Sequence, residues 1–151
     1  METSYIQTCK YTGDAGVDAV LNELIERAKG ENIPVECKGN FALSDELTSF
    51  EWCSVLHNLI LNAIEANEKL AEEAGRKIVI SILNYQGKTV IQIANATEKQ
   101  AVNEGDLLHT TKEDARNHGL GTKNVEDIIK RHNGVLKFHC ENGVFTVEVI
   151  V

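Results

Sequence analysis

From Asp14 the chain acquires a helical rhythm. Val17, Val20, Leu21, Leu24, Ile25 and Ala28 follow one another at spacings that place them on one helix face. Asp14 stands where an N-cap belongs and Gly30 where the helix would stop. "IPVECKG" (33–39) reads as a short strand. Ser44 is placed to cap a second helix, with Asp45 and Glu46 in its first turn, where negative charge suits the helix dipole. That helix is expected to run through Trp52, Leu56 and Ile60 to about Ala74, before Gly75. "RKIVISILN" (76–84) and "KTVIQIAN" (88–95) are rich in β-branched residues and joined by "YQG", the pattern of a hairpin. Residues 96–118 are polar and without period; so long an irregular stretch inside a compact domain points to function, such as a lid. The helical period returns at Gly121, with Val125, Ile128 and Ile129 inward, Lys130, Arg131 and His132 in the last turn, and Asn133-Gly134 closing it. "VLKFHCENGVFTVEVIV" (135–151) is a second hairpin, turned by Glu141-Asn142-Gly143.

Strands arriving in adjacent pairs between helices predict an α+β two-layer sandwich: a mostly antiparallel sheet covered by helices on one face. Residues 1–13 read as a tail and 14–151 as one domain. The 151 residues, 42% hydrophobic and 25% charged, suffice for a sizeable core. A formal net charge of −8 argues against broad nucleic-acid or anionic-membrane binding. No apolar run approaches the ~20 residues needed to cross a bilayer. Cys9, Cys37, Cys53 and Cys140 lack C-x-x-C spacing, so reduced thiols in a cytoplasmic domain are expected.

Two stretches carry chemistry. In "LHNLILNAIEANEKL" (56–70) the amides of Asn58 and Asn62 share a helix face four residues apart, and such groups need partners. In "HTTKEDARNHGLGTKNVEDIIKRHNG" (109–134), Gly119 and Gly121 open a helix directly. Glycine lets a backbone approach a ligand closely, and the N–H groups at a helix start attract phosphate. His109, Lys112, Arg116, His118 and Lys123 gather cations around that turn.

Taken together, "LHNLILNAIEA" resembles the N box, and "TTK…HGLGTKNVEDIIKRHNG" the lid and G2 box, of the GHKL ATP-binding superfamily. That superfamily joins gyrase, the ninety-kilodalton heat-shock chaperones, sensor histidine kinases and the MutL repair proteins. The resemblance implies the superfamily's sandwich, a long ATP lid, and ATP with Mg²⁺ as cofactors. It assigns Asn62 to the Mg²⁺ that bridges the ATP phosphates, with Asn58 beside it as a further metal or phosphate contact. Gly119, Leu120 and Gly121 would present backbone N–H groups to the phosphates, and Lys112 and His118 would reach them with side chains. The ATP-hydrolysing relatives carry glutamate at the position of Asn58; an amide has no useful basicity, so this site resembles the kinase type. Most relatives bind the adenine amino group with the aspartate of a D-x-G-x-G box, whereas here Asn95 takes that place in "IANATEKQ" and the glycines are missing. That degenerate box, together with "GDAGVDAVLNELIERAKGENI" (13–33), resembles the peptide-quorum-sensing sensor kinases.

The expected function is therefore the catalytic ATP-binding domain of a histidine kinase. Its partners would be a histidine-bearing dimerisation domain and a response regulator, since none of the five histidines lies in a long helical hairpin. Any sensor or membrane segment of the full-length protein would lie upstream, leaving this domain without direct membrane contact. The rival expectations are a stand-alone anti-sigma-factor-type serine kinase and a degenerate interaction module without nucleotide.

Overall fold

A computed structural model describes residues 12–97 and 120–151. Its elements run α1 (Ala15–Gly30), β1 (Val35–Lys38), α2 (Ser49–Glu68), a single 3₁₀ turn (Glu73–Gly75), β2 (Ile78–Tyr85), β3 (Lys88–Ala96), α3 (Leu120–Arg131), β4 (Val135–Glu141) and β5 (Val144–Ile150). The five strands form one sheet in the order β1-β2-β3-β5-β4. β1 runs parallel to β2, and the remaining pairs are antiparallel.

The period-two pattern of the strands sorts their side chains. Ile78, Ile80 and Ile82 of β2, Ile91 and Ile93 of β3, and Val147 and Val149 of β5 are buried beneath the helices, while the alternate residues face away. The helices thus cover one face, as an α+β two-layer sandwich requires. α2 supplies the centre of the core with Trp52, Val55, Leu56, Leu59, Ile60, Ala63 and Ile64, all buried. Each such large apolar side chain contributes roughly 1.5–3 kcal/mol on leaving water.

Local chemistry fixes the ends. The Asp14 carboxylate caps α1 by accepting from the Val17 N–H at 3.0 Å, and it also accepts from the Ser49 hydroxyl at 2.9 Å. These two bonds, the backbone one first, hold its pKa below the ordinary value. At the opposite ends Arg76 donates to the Glu31 carbonyl at 2.9 Å and to the Glu68 carbonyl at 3.5 Å. α1 and α2 therefore lie parallel. The first hairpin turns through Gln86 and Gly87 and the second through Asn142 and Gly143, all four at positive φ, the geometry that matches strand twist.

Two expected boundaries are wrong. α2 starts at Ser49, capped by Thr48 in a capping box with Glu51, and Ser44 is not its cap. Ser44 instead pins the preceding loop, its N–H donating to Thr89 Oγ1 at 2.6 Å and its carbonyl accepting from Trp52 Nε1 at 3.2 Å. The T-x-x-E pattern outcompetes a lone serine because it satisfies two terminal N–H groups reciprocally. α2 also ends at Glu68, not near Ala74. There the buried Asn67 carboxamide accepts from the Lys77 N–H at 2.8 Å and donates to the carbonyls of Ala63 at 2.9 Å and Lys77 at 3.3 Å, drawing the chain back towards β2.

Cys53 and Cys140 keep their thiols. Burial first, and then the Asp14 charge, raises the Cys53 pKa. Cys37 departs from the expectation of reduced cysteines: it is disulfide-bonded. Most of the expected tail (1–13) and most of the expected lid (96–118) lie outside the described residues.

Candidate nucleotide site

α3 lies antiparallel to α2, and three contacts set the register. At the start of α2, Glu51 accepts from Arg131 at 3.0 Å and contacts His132 Nε2 at 3.1 Å. In the middle, Ser54 Oγ accepts from Asn124 Nδ2 at 2.9 Å. At the third step, Asn58 Oδ1 stands 2.8 Å from where a side chain on Gly121 would begin. A side chain at 121 would force that carboxamide to shift. Glu51 is the most strongly perturbed of these groups: the Thr48 N–H, followed by the His132 and Arg131 side chains, lowers its pKa to about 2.

This register aims the start of α3 at Asn62. The free N–H groups of a helix's first turn point beyond its N-terminus. Because the two helices are antiparallel and Gly121 sits beside Asn58, those groups point towards the next turn of α2, where Asn62 lies. Asn62 is half-buried, and its carboxamide makes no hydrogen bond among the described residues. Asn58 differs: its amide donates to the Ser54 carbonyl at 2.8 Å. Glu65 lies further along the helix and is also half-buried.

Asn95 closes the same end of the sandwich. It is buried on the helix-facing side of β3, paired between Ile78 and Phe145. Its amide donates to the Ala96 carbonyl at 2.9 Å. The carboxamide oxygen has no hydrogen-bond partner among the described residues, so it remains able to accept from a ligand. Asn67 places the last turn of α2 against Lys77, next to this row. Asn62, the start of α3 and Asn95 thus face one end of the fold, where the chain leaves β3 and re-enters α3.

Of the residues expected at the site, Asn58, Asn62, Asn95 and Gly121 are gathered here, and Leu120 begins α3. Lys112, His118 and Gly119 lie outside the described residues, as do His109 and Arg116. Sequence reasoning missed Ser54 and Asn67. Ser54 was detectable four residues before Asn58, on the same helical face; Asn67 looked no different from Asn62.

An unpartnered carboxamide oxygen is a hard donor of the kind Mg²⁺ accepts, and Mg²⁺ keeps waters and phosphate oxygens for its remaining positions. The residues present fit that ion with one side-chain ligand from Asn62.

Comparison with known proteins bears on the family and the fold. The family described as the GHKL domain matches residues 47–151, and the chain belongs to that family. A nucleotide-free catalytic domain of histidine kinase ThkA superposes with a TM-score of 0.71 at 19% identity, covering 93% of this chain and 92% of that one. Histidine kinase AdeS of Acinetobacter baumannii gives 0.67 at 18% identity over 98% of this chain and 72% of its own. The mycobacterial sensor histidine kinase MprB gives 0.63 at 12% identity over 91% and 93%. The fold is therefore that of histidine kinase catalytic domains. A search of curated proteins returns no match.

Proposed function

We propose that this chain is the ATP-binding catalytic domain of a sensor histidine kinase. It holds Mg-ATP for phosphoryl transfer to a histidine on a separate dimerisation domain, from which a response regulator would receive the group. The observation that carries this reading is the start of α3 beside Asn58, one helical turn from the Asn62 carboxamide, which makes no hydrogen bond among the described residues. Phosphoryl transfer asks chiefly for positioning and charge stabilisation. The α3 N–H groups supply fixed positive dipole ends to the phosphates. Asn62 would hold Mg²⁺, which when bound neutralises charge on the phosphate oxygens. Lys112, His118 and Gly119 are assigned to the phosphates by resemblance. The Asn95 oxygen, without a hydrogen-bond partner among the described residues, would accept from the adenine amino group. Asn58 offers no base to activate water, so the site suits an acceptor brought by another domain better than hydrolysis.

The peptide-quorum-sensing subgroup is the closest reading of the asparagine at position 95. The cytoplasm is the compartment where such a domain meets ATP. A disulfide at Cys37 is unusual there, and alkylation of Cys37 in reducing buffer would show whether the pair opens.

A thermal melt with ATP tests the site. At ~100 times its dissociation constant, bound Mg-ATP adds roughly 2.7 kcal/mol, which corresponds to about 5–10 °C for a domain of this size. The shift should require Mg²⁺ and vanish in Asn62→Ala, with little phosphate released by the wild type. No shift at millimolar ATP, or an undiminished one in the variant, overturns the proposal.

A further inference from the structure

The contacts between α2 and α3 divide the two asparagines of the N box by role. Asn58 uses its amide on the Ser54 carbonyl, at 2.8 Å, and turns its oxygen to the Gly121 backbone. The Ser54 hydroxyl, 3.5 Å from the same amide, accepts from Asn124 Nδ2 at 2.9 Å. A serine inside a helix commonly turns its hydroxyl back onto its own backbone; this one receives a bond from the neighbouring helix. With Glu51 tied to Arg131 and His132, the residues 51, 54 and 58 form one stripe. Their partners 131–132, 124 and 121 descend in the opposite order.

We infer that Ser54 and Asn124 are positioning residues for the triphosphate, acting with Asn58 as a latch that sets where the first turn of α3 points. The inference rests on the proposed Mg-ATP reading and removes Asn58 from the metal's ligands, leaving Asn62. Its physical basis is register. A helix displaced along its neighbour by one turn moves about 5.4 Å, which is more than an N–H-to-phosphate bond tolerates. The ion pairs at Glu51 hold the far end of α3, whereas the end that would meet phosphate is held by Ser54, Asn124 and Asn58. A looser latch should therefore degrade contacts to the β and γ phosphates while sparing the adenine contact at Asn95, which stands on another element.

The test compares Ser54→Ala, Asn124→Ala and the double variant, titrated with Mg-ATP by calorimetry and with AMP by ligand-observed NMR, which reads millimolar binding. Losing one hydrogen bond's worth of orientation should weaken Mg-ATP about fivefold. AMP affinity should stay unchanged, and the double variant should be no worse than either single, because both remove the same contact. Unchanged Mg-ATP affinity overturns the latch. Parallel losses for ATP and AMP overturn it too, since they reveal a general packing role, and additive losses show that the two residues act separately. If wild type binds AMP but not Mg-ATP more tightly, the phosphate-facing role fails while a base site survives. If it binds neither, the proposed function itself falls.

Discussion

Two asparagines five residues apart on one helix should respond oppositely to the same substitution. Asn67 is fully buried and makes three hydrogen bonds: one from the Lys77 N–H and one each to the carbonyls of Ala63 and Lys77. Asn67→Ala deletes all three and strands the Lys77 N–H. Net hydrogen bonds are worth about 1 kcal/mol each, and leaving the part-buried Lys77 N–H unsatisfied costs about 1 kcal/mol, the low end for a lost donor. The Ala63 carbonyl keeps its place in the helix ladder, so the sum is about 2–4 kcal/mol. That is roughly 5–15 °C in melting temperature for a domain of this length. Asn62, half-buried and without a hydrogen bond among the described residues, has nothing of this kind to lose. Alanine is the better helix former by a few tenths of a kcal/mol, so Asn62→Ala should leave stability unchanged or slightly higher while removing Mg-ATP binding. Urea denaturation gives the stabilities, and titration with Mg-ATP, well below each melting temperature, gives the affinities. The reasoning fails if Asn62→Ala is as destabilising as Asn67→Ala. It also fails if folded Asn67→Ala protein has lost its nucleotide.

Two further outcomes follow from backbone geometry and charge. Gly39 has φ +96° and a Cβ there would lie 2.2 Å from the Ile82 carbonyl oxygen, so Gly39→Ala should cost on the order of 3 kcal/mol or more. Gly30→Ala meets nothing within 4 Å and should be neutral or mildly stabilising in the same urea titration; equal effects at both positions would contradict the argument. Glu51 has its pKa lowered from 4.5 to about 2 by the Thr48 N–H, His132 and Arg131. A depressed carboxylate stabilises the fold fully above its unfolded value and loses that contribution as pH falls through the folded one. Wild type should therefore lose on the order of 2 kcal/mol more than Glu51→Gln between pH 5 and pH 2. Parallel stability curves for the two proteins would remove Glu51 from the account.

Much of the architecture was legible because its signals are local. The apolar period from Val17 to Ala28 gave α1, and the β-branched runs with their Gly-containing turns gave both hairpins. A mixed sheet was expected from the family resemblance, but that β1 and β2 are the parallel pair was not legible, because strand adjacency in space leaves no mark in a four-residue run. The start of α2 was misread because Ser44 and Thr48 are both acceptable caps, and only the reciprocal bond from Glu51 separates them. At the site, residue type found Asn62, Asn95 and Gly121, but the chemistry of an amide does not reveal whether it is already occupied. Asn67 and Asn62 diverge solely through what β2 brings to one of them. Ser54 and Asn124 were hidden for a related reason, since each is unremarkable until the other helix arrives.

The guanidinium of Arg76 serves two helix ends at once, and that links their fraying. Parallel neighbours bring like partial charges together at each end. Here Asp14 and Ser49 join at one end and Arg76 meets the last carbonyls at the other, with its Nε buried and without a hydrogen-bond partner among the described residues. The neighbouring Glu31 carboxyl, and burial after it, raise the pKa of the Glu68 carboxyl beside those carbonyls. Opening the last turn of α1 would release the cation that steadies α2, and the reverse holds equally. Amide exchange at the two C-termini should accordingly proceed as one cooperative event, making residues 15–30 part of the same unit that carries Asn62 rather than a separate appendage.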